Sequence, residues 1–146
     1  SNFKFMGTPG TYRVKIDENT KTIGVAKSTV TTGLEPTSFW LVGAATPGGW
    51  SWTGNNETEL PVVSNNTYEV PVRLTNNDTF RVWEANDGGD SWGTTNRNYP
   101  YYVTNGYTID SELVNAADGD SNFRYMGPTG VRLLKINTTT KVISVD

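Results

Sequence analysis

Apolar and polar residues alternate with a period of two along most of the chain, and this alternation predicts short β-strands. Successive side chains of a strand point to opposite faces of its sheet. In Thr79–Glu84, Phe80 and Val82 therefore share one face, whereas Arg81 and Trp83 share the other. About seven or eight such strands, with turn residues every 8–12 positions, predict an all-β chain folded as a two-sheet sandwich. The other predicted strands are Phe39–Gly43, Leu60–Val63, Tyr68–Leu74, Tyr99–Val103, Tyr107–Ile109, Asn122–Met126 and a terminal hairpin over 131–145, with one helical turn expected at 111–120.

The two ends of the chain carry an internal repeat. Ser1–Val25 aligns without gaps with Ser121–Val145, and about half of the aligned residues are identical. The offset of 120 residues is a domain length and is far longer than the period of a solenoid. Each copy alternates apolar and polar residues on both sides of a turn rich in Asx and Thr, which predicts a β-hairpin.

The repeat divides the chain into three parts. Residues 38–146 are predicted to form one complete module, 28–37 a linker, and 1–27 the terminal hairpin of a preceding homologous module. The chain is therefore expected to be a fragment of a tandem array. An isolated two-stranded hairpin is at best marginally stable in water. We expect this one to pack on the following domain or to pair with the sheet edge of a neighbouring chain.

Composition narrows the classes of function. Because the chain has no cysteine and no histidine, disulfides, thiolate metal sites and Ser-His-Asp catalysis are excluded. A net charge of −3 disfavours nucleic acid as a partner, since binding to phosphates needs a basic face. No apolar run approaches the roughly 20 residues of a membrane span. No metal and no cofactor are expected.

Aromatic residues are abundant, with 5 Trp, 7 Tyr and 5 Phe. Arg81 and Trp83 share a strand face, and Trp92 follows them after a Gly-Gly-Asp turn. The CH face of a sugar packs on an indole ring, and a guanidinium group donates planar hydrogen bonds to hydroxyls, so this set predicts a platform for glycan. Trp50 and Trp52 lie in the loop after the module's first strand, and Trp52 is favoured as the ligand-facing ring of the two. The alternative is that these side chains only fill the core or cover the sheet.

Three segments of the module carry a family resemblance. FWLVGAATPGGW, TFRVWEANDGGDSWG and KINTTTKVISV occur in the order typical of the repeated modules of SusE/SusF-type surface glycan-binding proteins, which residues 38–146 therefore resemble. The resemblance implies a non-catalytic, Ig-like β-sandwich that binds starch-like α-glucan or a related polysaccharide. It implies that Trp50 or Trp52, Arg81 and Trp92 form the binding site.

The same resemblance implies a location and partners. Proteins of this family are lipid-anchored through a distant N-terminus on the outer face of the outer membrane of glycan-degrading Bacteroidetes. The implied partners are a polysaccharide or oligosaccharide, neighbouring modules of the same protein, and an outer-membrane glycan transporter complex.

Two other functions stay open. A structural spacer would use the same aromatic residues for packing and would bind no sugar. A small polysaccharide hydrolase would need a carboxylate pair such as two of Glu84, Asp87 and Asp90, but these lie in a polar turn without an apolar pocket to raise a carboxyl pKa. Their spacing also lacks the ligand series of a calcium loop. A lyase would usually need Tyr with His, Lys or Arg, and the chain has no His. Tyr99 and Tyr101, on one face of a predicted strand, are a secondary glycan contact.

Overall fold

A computed structural model describes residues 3–7, 12–17, 21–27, 38–52, 57–85 and 92–146. These residues form twelve strands and one helix, so the all-β prediction is confirmed. The predicted linker at 28–37 and the turn residues Asp87 and Asp90 lie outside the described residues. The elements are β1 (Tyr12–Asp17), β2 (Thr22–Lys27), β3 (Ser38–Val42), β4 (Thr58–Ser64), β5 (Thr67–Leu74), β6 (Thr79–Trp83), β7 (Asn96–Arg97), α1 (Tyr99–Thr104), β8 (Thr108–Ile109), β9 (Leu113–Asn115), β10 (Phe123–Tyr125), β11 (Gly130–Asn137) and β12 (Val142–Val145).

Ten strands are joined in one hydrogen-bonded sheet. Nine follow the order β8-β12-β11-β5-β4-β3-β6-β10-β9, and β7 pairs with β6 beside this path. Neighbouring strands are antiparallel except for β12 and β8, which are parallel. β4 joins the two halves, since it pairs with β3 through Thr58–Pro61 and with β5 through Val62 and Ser64. The division into two separate Ig-like sheets therefore stays a prediction.

One hydrophobic core holds both halves of this path together. Phe39 of β3 packs edge-on against Tyr68 of β5, with 4.6 Å between the ring centroids. Phe80 of β6 stacks on Phe123 of β10 at 5.3 Å. Phe80 and Val82 are buried, as the alternation in β6 predicts. The face of β6 that points away from this core, here called its outer face, carries the candidate site.

Pro71 shows how β5 tolerates a residue without a backbone N–H. β11 pairs with β5 along its whole length, whereas β4 pairs only with Thr67 and Tyr68. Beyond Tyr68, β5 therefore has a neighbouring strand on one side only. Pro71 lies at this local edge, where no hydrogen bond to β4 is lost.

The predicted strand Tyr99–Val103 is wrong, because this segment forms α1. The Asn98 side chain accepts a hydrogen bond from the N–H of Tyr101 at 3.2 Å and caps the helix, and Pro100 lies in its first turn. Gly106, with φ of +79°, follows the C-cap, so Asn-Gly ends a helix and does not turn a hairpin. The helical turn expected at 111–120 is also wrong, since this stretch contains β9.

Both copies of the repeat form the hairpins that the sequence predicts. β1 pairs with β2, and β11 pairs with β12. The terminal hairpin β11–β12 is part of the ten-stranded sheet, whereas β1–β2 is a separate two-stranded sheet. That β1–β2 ends a preceding module stays a prediction.

Candidate functional site

Four tryptophans form one continuous cluster at the end of β6. The ring of Trp92 contacts the rings of Trp50 and Trp83, with centroid distances of 5.7 and 5.5 Å. Trp83 also contacts Trp52 in an edge-to-face arrangement at 5.1 Å. The structure thus brings together all four tryptophans that the sequence selects. The fifth tryptophan, Trp40, lies opposite Trp83 in the β3–β6 pair.

The four rings differ in how much solvent they meet. Trp83 is 0% exposed, whereas Trp50 and Trp92 are 39% and 45% exposed. Trp52 is half-buried, and its buried Nε1 has no hydrogen-bond partner among the residues that the structure describes. Trp83 is therefore a buried floor on which the exposed ring of Trp92 packs, and Trp92 in turn contacts the exposed ring of Trp50. We call these two exposed rings the Trp50–Trp92 surface. Exposure favours Trp50 over Trp52 as the ring that meets a ligand, and ligand contact by either ring stays a prediction.

A tight loop that follows β3 positions Trp50. The N–H of Gly43 donates to the carbonyl of Gly49 at 3.0 Å, while the N–H and hydroxyl of Thr46 donate to the carbonyl of Gly43 at 2.9 and 2.8 Å. A Cβ at position 43 would collide with the backbone of Phe80, so only glycine fits there. The loop therefore closes directly against the first residues of β6, and the ring of Trp50 contacts that of Trp92.

The backbone of Trp92 is held in a left-handed conformation with φ of +64°. This conformation costs about 1–2 kcal/mol for a residue that has a Cβ. The carbonyl oxygen of Trp92 accepts hydrogen bonds from Nε1 of Trp83 at 2.9 Å and from Nδ2 of Asn96 at 3.3 Å. The same amide group of Asn96 donates to the carbonyl of Gly93 at 3.3 Å. Side chains thus hold the main chain of Trp92 and leave its ring partly exposed.

Arg81 lies on the outer face of β6, but its guanidinium group is engaged within the protein. Nε donates to Oδ1 of Asn122 at 2.8 Å, Nη1 to Oδ1 of Asn96 at 3.2 Å, and Nη2 to the carbonyl of Asp120 at 2.7 Å. Because Asn96 also holds the carbonyl of Trp92, Arg81 supports the loop that carries that ring. Direct contact of Arg81 with a ligand stays a prediction.

An ionisable carboxylate ends this series of hydrogen bonds. Asp118 accepts from the backbone N–H of Asn122 at 3.2 Å and from its Nδ2 at 2.8 Å. Burial would raise the pKa of Asp118, but the hydrogen bonds from Asn122 outweigh it and lower the pKa below its ordinary value. We call the series Asp118–Asn122–Arg81–Asn96–Trp92 the polar brace.

A second polar group lies beyond the end of β6. Arg97 forms an ion pair with Glu84 at 2.7 Å, and its guanidinium carbon lies 4.7 Å from the centroid of the Tyr101 ring. Burial would lower the pKa of Arg97, but Glu84 raises it overall. Tyr99 instead packs its ring on Phe123 at 5.3 Å. The two tyrosines therefore do not form the shared face that the predicted strand would have given them.

Of the three acidic residues considered for catalysis, only Glu84 lies within the described residues. Glu84 is committed to its ion pair with Arg97. In the part of the chain that the structure describes, no group of three or more acidic side chains is placed to hold a metal ion. No helix among those residues is long and apolar enough to cross a membrane.

A scan against protein-family models gives no match, and searches of curated proteins and of solved structures give none either. The resemblance described above therefore remains an expectation. The Trp50–Trp92 surface and the residues that hold it in place are the features that bear on function.

Proposed function

We propose that this chain binds polysaccharide at the bacterial cell surface and does not chemically change it. The observation that carries the proposal is the pair of adjacent, exposed indole rings of Trp50 and Trp92, the second of which packs on the buried ring of Trp83. Large aromatic rings that remain exposed side by side favour a binding surface over a core. Indole rings offer a wide apolar face against which the CH groups of a sugar pack.

The shape of the surface favours a curved glycan chain. The rings of Trp50 and Trp92 are tilted by 45° to each other, so their exposed faces do not lie in one plane. Consecutive sugars of a starch-like α-glucan turn relative to one another and fit such a bent surface better than a flat ribbon does. The proposed ligand is therefore a starch-like α-glucan or a related polysaccharide.

Rigidity supports the same function. The floor formed by Trp83 and the polar brace hold Trp92 before any ligand arrives, which lowers the entropy cost of binding. Sugar hydroxyls exchange hydrogen bonds with water for bonds with protein, so we expect modest affinity for a single module. Several modules linked in one protein would raise retention through avidity. We further propose a lipid-anchored array on the outer membrane, beside a glycan transporter complex.

Affinity electrophoresis in native gels that contain starch, xylan, alginate or laminarin tests the proposal. The unchanged chain should be slowed most in starch, and Trp50→Ala or Trp92→Ala should each restore free migration. Val131→Ala is the matched control, because Val131 is an exposed apolar residue on β11, away from the tryptophan cluster. Equal migration of all four proteins in every gel would contradict the proposal.

A structural spacer is the second candidate function. Two observations favour it, since Trp83 is fully buried and Nε, Nη1 and Nη2 of Arg81 all donate to protein acceptors. Under this alternative, no glycan would change the tryptophan fluorescence of the folded chain. A catalytic role would instead be revealed by the release of reducing ends from any of the four polysaccharides, which we expect to be absent.

A further inference from the structure

The hairpin β1–β2 exposes apolar side chains whose counterparts in β11–β12 belong to the core. Four aliphatic side chains share one face of this hairpin, and each is between 49% and 67% exposed. Their counterparts, 120 positions later in the aligned repeat, are at most 4% exposed. The four pairs are Val14 and Leu134, Ile16 and Ile136, Ile23 and Ile143, and Val25 and Val145.

The position of β11 shows which surface this pattern fits. β11 lies antiparallel to β5, with Lys135 opposite Glu69 and Ile136 opposite Tyr68. Nζ of Lys135 lies 3.6 Å from a carboxylate oxygen of Glu69. In the repeat, Lys15 stands at the position of Lys135. β1 thus keeps both the apolar pattern and the charge that a strand beside a β5-type edge needs.

The module of the same chain does not bury this face of β1–β2. Val14, Ile16 and Val25 line a cavity of about 690 Å³ together with residues on β4, β5 and β11 that include Val63 and Leu133. The three side chains stay about half or more exposed across this gap. Contact with the chain's own sheet therefore leaves most of the apolar area of the hairpin in water.

We propose that β1–β2 is a docking element for a second unit of the same kind as residues 38–129, in which it takes the place that β11–β12 occupies here. Its apolar face completes the core of that unit beside a β5-type strand, in the register that β11–β12 adopts here. Ile16 then faces the residue equivalent to Tyr68, and Lys15 faces the residue equivalent to Glu69. The burial of four aliphatic side chains supplies the driving force.

An exchange of hairpins in the full-length chain tests this fit. Residues 132–146 are replaced by the sequence of residues 12–26, which changes the four buried positions only at Leu134→Val. The chimera should keep its near-UV circular dichroism and a cooperative thermal transition, with Tm lowered by roughly 4–8 °C for one lost methylene group. Loss of the cooperative transition would overturn the proposal.

A second chimera is the matched control for register. It carries the same inserted sequence displaced by one residue, which turns every apolar side chain to the opposite face. This variant should lose the cooperative transition. If it were as stable as the in-register chimera, the docking face would have no specificity for a β5-type edge, and the proposal would fall.

A further variant distinguishes the second unit from the chain's own sheet as the partner. Val14→Asp combined with Ile16→Asp is introduced into the otherwise unchanged chain, and thermal unfolding is followed by circular dichroism. Under the proposal, the Tm of the main transition stays unchanged. A clear fall in Tm would show that β1–β2 already stabilises its own module, and would overturn the choice of partner.

Discussion

Trp83 and Trp92 are in ring contact and nine residues apart, yet their environments are opposite. Trp83 belongs to β6 and has its ring enclosed, while its indole N–H donates to the carbonyl of Trp92. Trp92 belongs to a loop in which the main chain is held and the ring is left partly exposed. The strand residue therefore supplies stability, and the loop residue supplies a surface.

The largest expected effect is a difference in unfolding free energy between alanine variants of Trp83 and Trp92. Trp83→Ala should lower the free energy of unfolding by about 3–5 kcal/mol. It leaves a cavity beside the rings of Trp52 and Trp92, and it removes the N–H that donates to the carbonyl of Trp92. Trp92→Ala should cost less than about 1.5 kcal/mol, since much of its ring already meets water. Urea unfolding followed by far-UV circular dichroism measures both. Equal losses would remove the distinction between floor and surface.

Arg81→Gln tests whether the brace acts through the protein or through the ligand. The change removes the guanidinium donors that bond to Oδ1 of Asn122, to Oδ1 of Asn96 and to the carbonyl of Asp120. It should lower the free energy of unfolding by about 1–3 kcal/mol. Glycan binding should weaken in parallel as Trp92 loses its support. Arg81→Lys, with one compact ammonium group, should restore neither property fully. If binding fell while stability stayed unchanged, Arg81 would instead contact the glycan directly.

The left-handed backbone of Trp92 predicts a smaller difference in stability, between its glycine and alanine variants. Trp92→Gly should be more stable than Trp92→Ala by about 1 kcal/mol, because glycine adopts positive φ without the strain of a Cβ. Both variants should lose glycan binding, since both lack the ring. Urea unfolding and affinity electrophoresis of the two proteins, compared side by side, provide the check. A more stable alanine variant would show that φ relaxes when the ring is removed.

The smallest expected effect is a dependence on pH. Because the pKa of Asp118 is lowered in the folded protein, its charge contributes stability above the unfolded value of 3.8. That contribution is lost as pH falls from 3.8 through the lower pKa of the folded state. Asp118→Asn should flatten this part of the profile of Tm against pH. An identical acid profile for both proteins would exclude Asp118 as a link in the brace.

Much of the fold follows from alternation in the sequence. Phe80 and Val82 turn inward, and Arg81 and Trp83 share the outer face of β6, as the period of two predicts. The segment Tyr99–Val103 is an exception, because its aromatic residues favour a strand, whereas the capping residues around it favour the helix that forms. Asn98 before the segment and Pro100 within it are the local evidence for a helix.

For the candidate site, the sequence predicts which tryptophans come together but not the role of each. The four tryptophans do meet, but alternation alone does not show that a loop covers Trp83. The engagement of Arg81 depends on Asn96 and Asn122, which are 15 and 41 residues away in the sequence. Contacts at such separations are set by the tertiary fold, so no local sequence pattern predicts them.

The strands at the two ends of the ten-stranded sheet have a consequence for colloidal behaviour. Within the described residues, the path ends on β8, with 2 residues, and on β9, with 3 residues. Short edge strands offer few unpaired N–H and C=O groups to another sheet, which limits edge-to-edge association. At these two ends of the sheet, crowding of several copies therefore brings surfaces together without offering a long edge along which two sheets could fuse.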